Sequence, residues 1–218
     1  MENHTLVEQL YDQTYFDYQR EMGKFGGWAN ASIFASYIKP TDKLIDFGCG
    51  GGYLLQQLTC AEKIGIEINE QARQIATENG ISTVHFISDV ADGWADVIIS
   101  CHALEHTSRP LDEITFLKEK LKPGGLIVFV APSEGVYNAF DPQNPDHHLY
   151  TWSPMCLGNL FQQAGFSVLE SKAIIHLWPP HYRLIAKMGR AVFDICCRIY
   201  GFLKSPKLSQ SRVVARKV

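Results

Sequence analysis

From Lys43 onward, short apolar runs alternate with segments whose apolar residues recur at helical spacing. The runs at 43–47, 62–66, 83–87, 94–100 and 124–131 predict strands. Helical spacing falls at 52–60, 70–79 and 111–121. Gly80 stops the second of these helices, and Leu121-Lys122-Pro123-Gly124-Gly125 stops the third. An irregular stretch rich in Asn, Asp and Pro follows Pro132 and ends at His147-His148. A helix over 154–164 and a strand over 166–174 come next, and residues 211–217 read as a last strand. Strands alternating with helices predict a parallel sheet wrapped by helices, an α/β fold.

Two segments stand outside this rhythm. Residues 1–40 carry Tyr11, Tyr15, Phe16, Tyr18, Phe25 and Trp28, dense for a surface helix, and predict a helical lid. Residues 175–209 separate two strands by far more than a usual hairpin link, which predicts a cap over the ligand-binding edge of the sheet. Arg183–Lys204 reads as one helix, with a polar stripe at 183, 187, 190, 194 and 198 and a wide apolar face. That face suits packing within the protein, with peripheral membrane contact as the rival. The organisation expected is thus a lid (1–40), an α/β core (41–174), a cap (175–209) and a closing strand (210–218).

Composition changes little: 46% of the 218 residues are hydrophobic and 20% charged, as in ordinary globular proteins. Six cysteines without paired CxxC spacing fit buried thiols in a reducing cytoplasm. The polar start Met1-Glu2-Asn3-His4 predicts no signal peptide, and no apolar run reaches spanning length. Charge adds more. Residues 183–218 hold nine basic residues against Asp194 alone, nine minus one or +8, which leaves −11 for 1–182 out of the net −3. Nucleic acid is not expected as a partner, because the body is acidic and part of the basic tail lies in a strand. The pattern is neutral on oligomeric state.

The candidate chemistry begins at Asp46-Phe47-Gly48-Cys49-Gly50-Gly51-Gly52-Tyr53. A strand running into such a turn lets a ligand lie on bare backbone. The third glycine of a dinucleotide fingerprint is replaced by Tyr53, and Asp46 would repel a pyrophosphate. An acid there suits a ligand bearing an ammonium group. Glu67 ends the next strand, 19 residues after Gly48, with two acceptor oxygens for ribose hydroxyls. Ile87-Ser88-Asp89-Val90 and the run from Asp96 through Ser100-Cys101-His102 to Glu105-His106 follow in order. Together these motifs resemble those of class I S-adenosylmethionine-dependent methyltransferases, in particular the enzymes acting on quinone precursors and on surface-polysaccharide or nucleotide-linked intermediates.

That resemblance implies a Rossmann-like seven-stranded doubly wound sheet whose last strand is antiparallel and pairs beside the sixth. It implies S-adenosyl-L-methionine as cofactor, held by Arg20, Asp46, Gly48, Cys49, Gly50, Glu67, Ile68, Asp89, Val90, Ser100 and Cys101. Asp89 would accept from the adenine amino group, with an apolar neighbour over the ring. Arg20 would pair with the cofactor carboxylate, or else stand as a solvated charge. The implied enzyme is cytoplasmic, with peripheral membrane association as a variant, and methylates a small-molecule or lipid-linked acceptor.

His102, His106, His147, His148, His176 and His181 all follow strands and should share one rim of the sheet. Imidazole suits removal of a hydroxyl proton near neutral pH, so His102, His106 and His148 are the candidate bases. Each also suits a plain rim residue bonded to backbone. Clustered imidazoles can chelate a divalent ion. Without an isolated HxH or HxxxH pair and a helper carboxylate, no metal is expected. Oxygen is the expected target atom, since neither an Asn-Pro-Pro-Tyr motif nor a catalytic-cysteine context is present. Two rivals keep the same fold: an aminopropyl transferase, disfavoured because Ser100-Cys101-His102 lacks paired acids, and a non-catalytic cofactor-binding subunit.

Overall fold

The computed structural model describes residues 13–135, 139–142, 144, 146–204 and 208–218, with side chains from 22 onward except those of 208 and 209. Seven strands form one sheet in the order β3-β2-β1-β4-β5-β7-β6. The chain divides into two compact units, one ending at Ile99 and including Glu119–Lys122, the other built from Ser100–Lys118 and Pro123–Val218.

In the first unit, helix α1 (Gln13–Phe34) precedes β1 (Lys43–Phe47), α2 (Tyr53–Gln56), β2 (Glu62–Ile66), α3 (Glu70–Glu78), β3 (Ser82–Val84) and most of β4 (Ala95–Cys101). β1 pairs in parallel with both β2 and β4, and β2 in parallel with β3. Leu44, Ile45, Ile98 and Ile99 are fully buried, which explains why these parallel strands read as continuous apolar runs. α1 packs closely at Gly27, where a side chain would collide with the backbone of Tyr53. Asp96 accepts from the Lys43 amide (2.9 Å) and from Lys122 Nζ (2.6 Å), tying β4 to the start of β1.

The second unit holds α4 (Pro110–Lys120) up to Lys118, most of β5 (Leu121–Glu134), α5 (Pro154–Gln163), β6 (Phe166–Ile174), α6 (Tyr182–Ala186), α7 (Arg190–Lys204) and β7 (Leu208–Lys217). β7 lies between β5 and β6 and runs antiparallel to both, as the resemblance implied. Its register with β5 runs from Leu126↔Arg216 to Glu134↔Leu208. Phe129, Phe161, Leu157 and Val213 fill the core behind it. Ser153 caps α5 by accepting from the Cys156 amide (3.1 Å), with Pro154 in the first helical position.

Several boundaries differ from the sequence pattern: β5 is three residues longer at each end than the expected 124–131, and β7 starts at Leu208 instead of 211. β3 stops at Val84 because Asp89 accepts from the Phe86 amide (2.9 Å) and turns 87–89 into a 3-10 segment. The helix after the glycine turn is only Tyr53–Gln56. The expected single helix over 183–204 is two, broken at Gly189, whose φ of 104° no helix accommodates.

Candidate functional site

The glycine turn follows directly from β1. Gly48, Gly50 and Gly52 all have positive φ (73°, 52° and 75°), a conformation that costs other residues about 1 kcal/mol or more. The amides of Gly48 and Cys49 both donate to the Ile66 carbonyl, at 2.9 and 3.2 Å, pinning the turn to the end of β2. At Gly52 a side chain would meet Ile81, whereas at Gly50 the space is open within 4 Å. Gly50 therefore leaves a bare backbone surface, and Gly52 seats the turn.

Glu67 supports this surface. Its carboxylate accepts from the Gly50 amide (2.8 Å) and the Asn69 amide (2.9 Å), one bond to each oxygen. A carboxylate has about four acceptor sites, so two remain for ligand hydroxyls. Burial raises the Glu67 pKa, opposed by these backbone donors and by Arg73. Arg73 also donates to the carbonyls of Glu67 and Ile68, both at 2.8 Å, which fixes the loop. Asp46, buried at the end of β1, is pushed well above the usual carboxylate range by burial and then by the Glu67 charge. A cationic ligand group would restore its charge. Ile68 stands 42% exposed beside Glu67, and Val90 is buried behind Asp89. Asp89 is exposed and already engaged with the Phe86 amide through one oxygen. The Arg20 side chain lies outside the described residues.

Ser100 and Cys101 belong to the second unit, Ser100 fully buried and Cys101 half-buried. His102 follows them with φ 58°, a strained setting for a non-glycine residue, held by its amide donating to the Val130 carbonyl (2.9 Å). Its Nδ1 lies 3.3 Å from Oε1 of Glu105, a carboxylate with no exposed surface. Neither Glu105 oxygen makes a hydrogen bond of good geometry among the described residues. His148 completes the group: its Nδ1 is 2.9 Å from Glu134 Oε1, and its Nε2 is 4.0 Å from Glu105 Oε1. The His106 ring meets the His148 ring edge-on at 5.1 Å.

The electrostatics follow from this packing. Withdrawal from water would lower His102, but the Glu105 carboxylate beside it outweighs that and holds the imidazole above its ordinary value. Burial would raise Glu105, yet His102 and His106 bring it below the usual carboxylate value. His106 is lowered, first by burial and then by its histidine neighbours, against Glu105. Glu105, His106 and His148 also present one ligand atom each within 4.8 Å of one another, a donor set able to hold a divalent ion.

Of the six rim histidines, the structure brings together His102, His106 and His148. His176 instead pairs with Asp194 on α7 at 3.2 Å, while His147 and His181 are exposed at positive φ. The sequence reading missed the two carboxylates. The run Leu104-Glu105-His106 carried a signal for Glu105, but Glu134 had none, lying 14 residues from the histidine it holds.

A family model described as a methyltransferase domain matches residues 18–171. The ubiquinone biosynthesis O-methyltransferase of Cereibacter sphaeroides is 32% identical over 97 residues, 39% of this chain and 39% of that relative, so the match spans about two fifths of its length. Among solved structures, an S-adenosylmethionine-dependent methyltransferase from Archaeoglobus fulgidus superposes with a TM-score of 0.64 at 19% identity, covering 94% of this chain and 100% of that one. A methyltransferase from Thermotoga maritima, titled a possible histamine N-methyltransferase, gives 0.69 at 15% identity, covering 97% and 100%.

Proposed function

This chain belongs to the class I S-adenosylmethionine-dependent methyltransferases, and on that premise we propose that it methylates an oxygen of a small-molecule or lipid- or nucleotide-linked acceptor. The carrying observation is the His102–Glu105 pair, an imidazole whose Nδ1 is held by a buried carboxylate. S-adenosylmethionine, when bound, supplies a methyl group activated on a sulfonium. The residues of the glycine turn fit it: the open backbone at Gly50, which follows Gly48 and Cys49, would take the adenosyl part. Glu67 would accept from the ribose hydroxyls and Asp46 would meet the ammonium. Ile68 and Val90 would wall the adenine, and Asp89 would accept from its amino group. Ser100 and Cys101 are assigned to the cofactor's methionyl side, as is Arg20.

On the acceptor side, His102 removes the hydroxyl proton through Nε2, since Nδ1 is turned to Glu105. Glu105 fixes the ring and stabilises the imidazolium that forms. His148, held in the same way by Glu134, and His106 shape the pocket around it. The test is a panel of catechols, phenols, sugars and lipid-linked phenols incubated with the cofactor and read by mass spectrometry. A gain of one methylene on oxygen is expected; transfer to nitrogen or carbon only would overturn the target-atom assignment.

A second reading rests on the ligand set of Glu105, His106 and His148. With Glu134 holding His148 Nδ1, its Nε2 is free to ligate, the usual outer-sphere arrangement of metal-bound histidine. A divalent ion there would polarise the acceptor hydroxyl. Loss of turnover on chelation, restored by added metal, supports this reading; full turnover in chelator excludes it.

A further inference from the structure

The helical pair α6–α7 is seated by one face and open on the other. On the inner face Phe193 and Cys197 are fully buried. At Gly201 a Cβ would stand 2.5 Å from Ile175 Cγ2, so only glycine lets the helix approach this closely. The Leu177 amide donates to the Cys197 carbonyl (3.3 Å), and the His176 ring packs edge-on against Phe193. These contacts fix the rotation of α7 and therefore its outer stripe. Ile195, Ile199, Phe202 and Leu203 lie on that stripe, and Leu184 and Met188 are the exposed apolar residues of α6 and the turn after it. Each of the six is between 56% and 72% exposed.

Charge is one-sided along the same stretch of chain. Arg183, Lys187, Arg198 and Lys204 are exposed, while Asp194, the single acid of 182–204, is turned to His176. We propose that the outer face of α6–α7 docks on an anionic lipid bilayer, lying in the headgroup plane with its apolar stripe inserted. Apolar side chains bordered by cations, without a carboxylate, match the boundary between acyl chains and anionic headgroups. At 15 residues α7 is about 22 Å long, and no helix among the described residues is long and apolar enough to cross a membrane, so the pair lies on the surface. A second copy of the chain fits less well. A two-fold contact sets the same patch against itself, bringing four cations against four, a costly juxtaposition. Docking of this kind goes beyond the proposed reaction and does not depend on which acceptor is used.

The test is flotation of the full chain with vesicles of phosphatidylcholine alone and of phosphatidylcholine mixed with phosphatidylglycerol. Flotation with the anionic vesicles only, weakened by salt, is expected. Replacing Ile199, Phe202 and Leu203 together by Gln should lower the partition about tenfold or more. Replacing Arg198 and Lys204 by Gln should lower it about 25-fold, near fivefold per cation. All five side chains are exposed, so the melting temperature and cofactor affinity should stay those of the wild type. Absence of flotation, equal flotation with neutral vesicles, or variants floating like the wild type would overturn the proposal. Sedimentation showing a dimer that the triple variant loses, with no flotation, would assign the face to a second copy instead.

Discussion

Glu105 governs the chemistry of its neighbours through its buried charge, which lies 3.3 Å from His102 Nδ1. As a base, His102 works unprotonated, so kcat/KM should rise with pH, with a midpoint above the ordinary imidazole value of about 6.5. In Glu105→Gln the largest raising partner is gone, so that midpoint should move down. A midpoint that stays in place would remove Glu105 from the positioning role. His102→Ala should lower kcat by roughly 10²–10⁴-fold. Stability carries the same signature. The raised His102 contributes stability present below about 6.5 and lost as pH rises through its folded value; the lowered Glu105 contributes stability present above about 4.3 and lost as pH falls through its own. Denaturant melts across that range should therefore show the wild type's advantage over Glu105→Gln narrowing on both sides. In the other unit, Glu67→Ala removes an acceptor for the ribose and frees two amides, and should weaken cofactor binding about 10–100-fold by calorimetry. Gly48, Gly50, Gly52 and Glu67 were legible because backbone conformation dictates glycine and spacing dictates the acid. Glu134 was not legible, because its role exists only through a contact distant along the chain.

Elements carry the site by being short and closely approached. Gly65 in β2 lies against Cys49 of the turn, where any added Cβ would overlap the Cys49 sulfur. Gly65→Ala should cost about 1–3 kcal/mol in thermal melts and weaken cofactor binding with it, since the displaced Cys49 is part of the turn. A variant as stable as the wild type would show that the turn gives way freely. The strand β1 was readable to the residue from its apolar run, because burial sets its composition; β2 and β6 also keep the expected bounds, although only two residues of β2 and one of β6 are buried. β3 was overestimated because a single side chain, Asp89, closes a turn that propensity does not register. The break at Gly189 was missed for a related reason: apolar periodicity continues across it, and only the backbone angle ends the helix.

For the whole molecule, the motifs in order implied a seven-stranded sheet with an antiparallel last strand beside the sixth, and β7 pairs there. The acceptor was not legible, because the residues that would select it come together from β4, β5 and the 146–152 stretch only after folding. The charge asymmetry between 183–218 and the rest was visible from the start; which side chains it leaves exposed required the helical pair to be placed. At this scale the property to measure is methyl transfer itself. The most direct measurement is a single-turnover reaction of the full chain with methyl-labelled S-adenosylmethionine and the phenolic and lipid-linked panel. One equivalent of S-adenosylhomocysteine is expected, with the label on an acceptor oxygen, and both should be lost in His102→Ala. Failure to bind S-adenosylmethionine and its demethylated product in calorimetry, with no label transferred to any acceptor, would overturn methyl transfer as the activity of this chain.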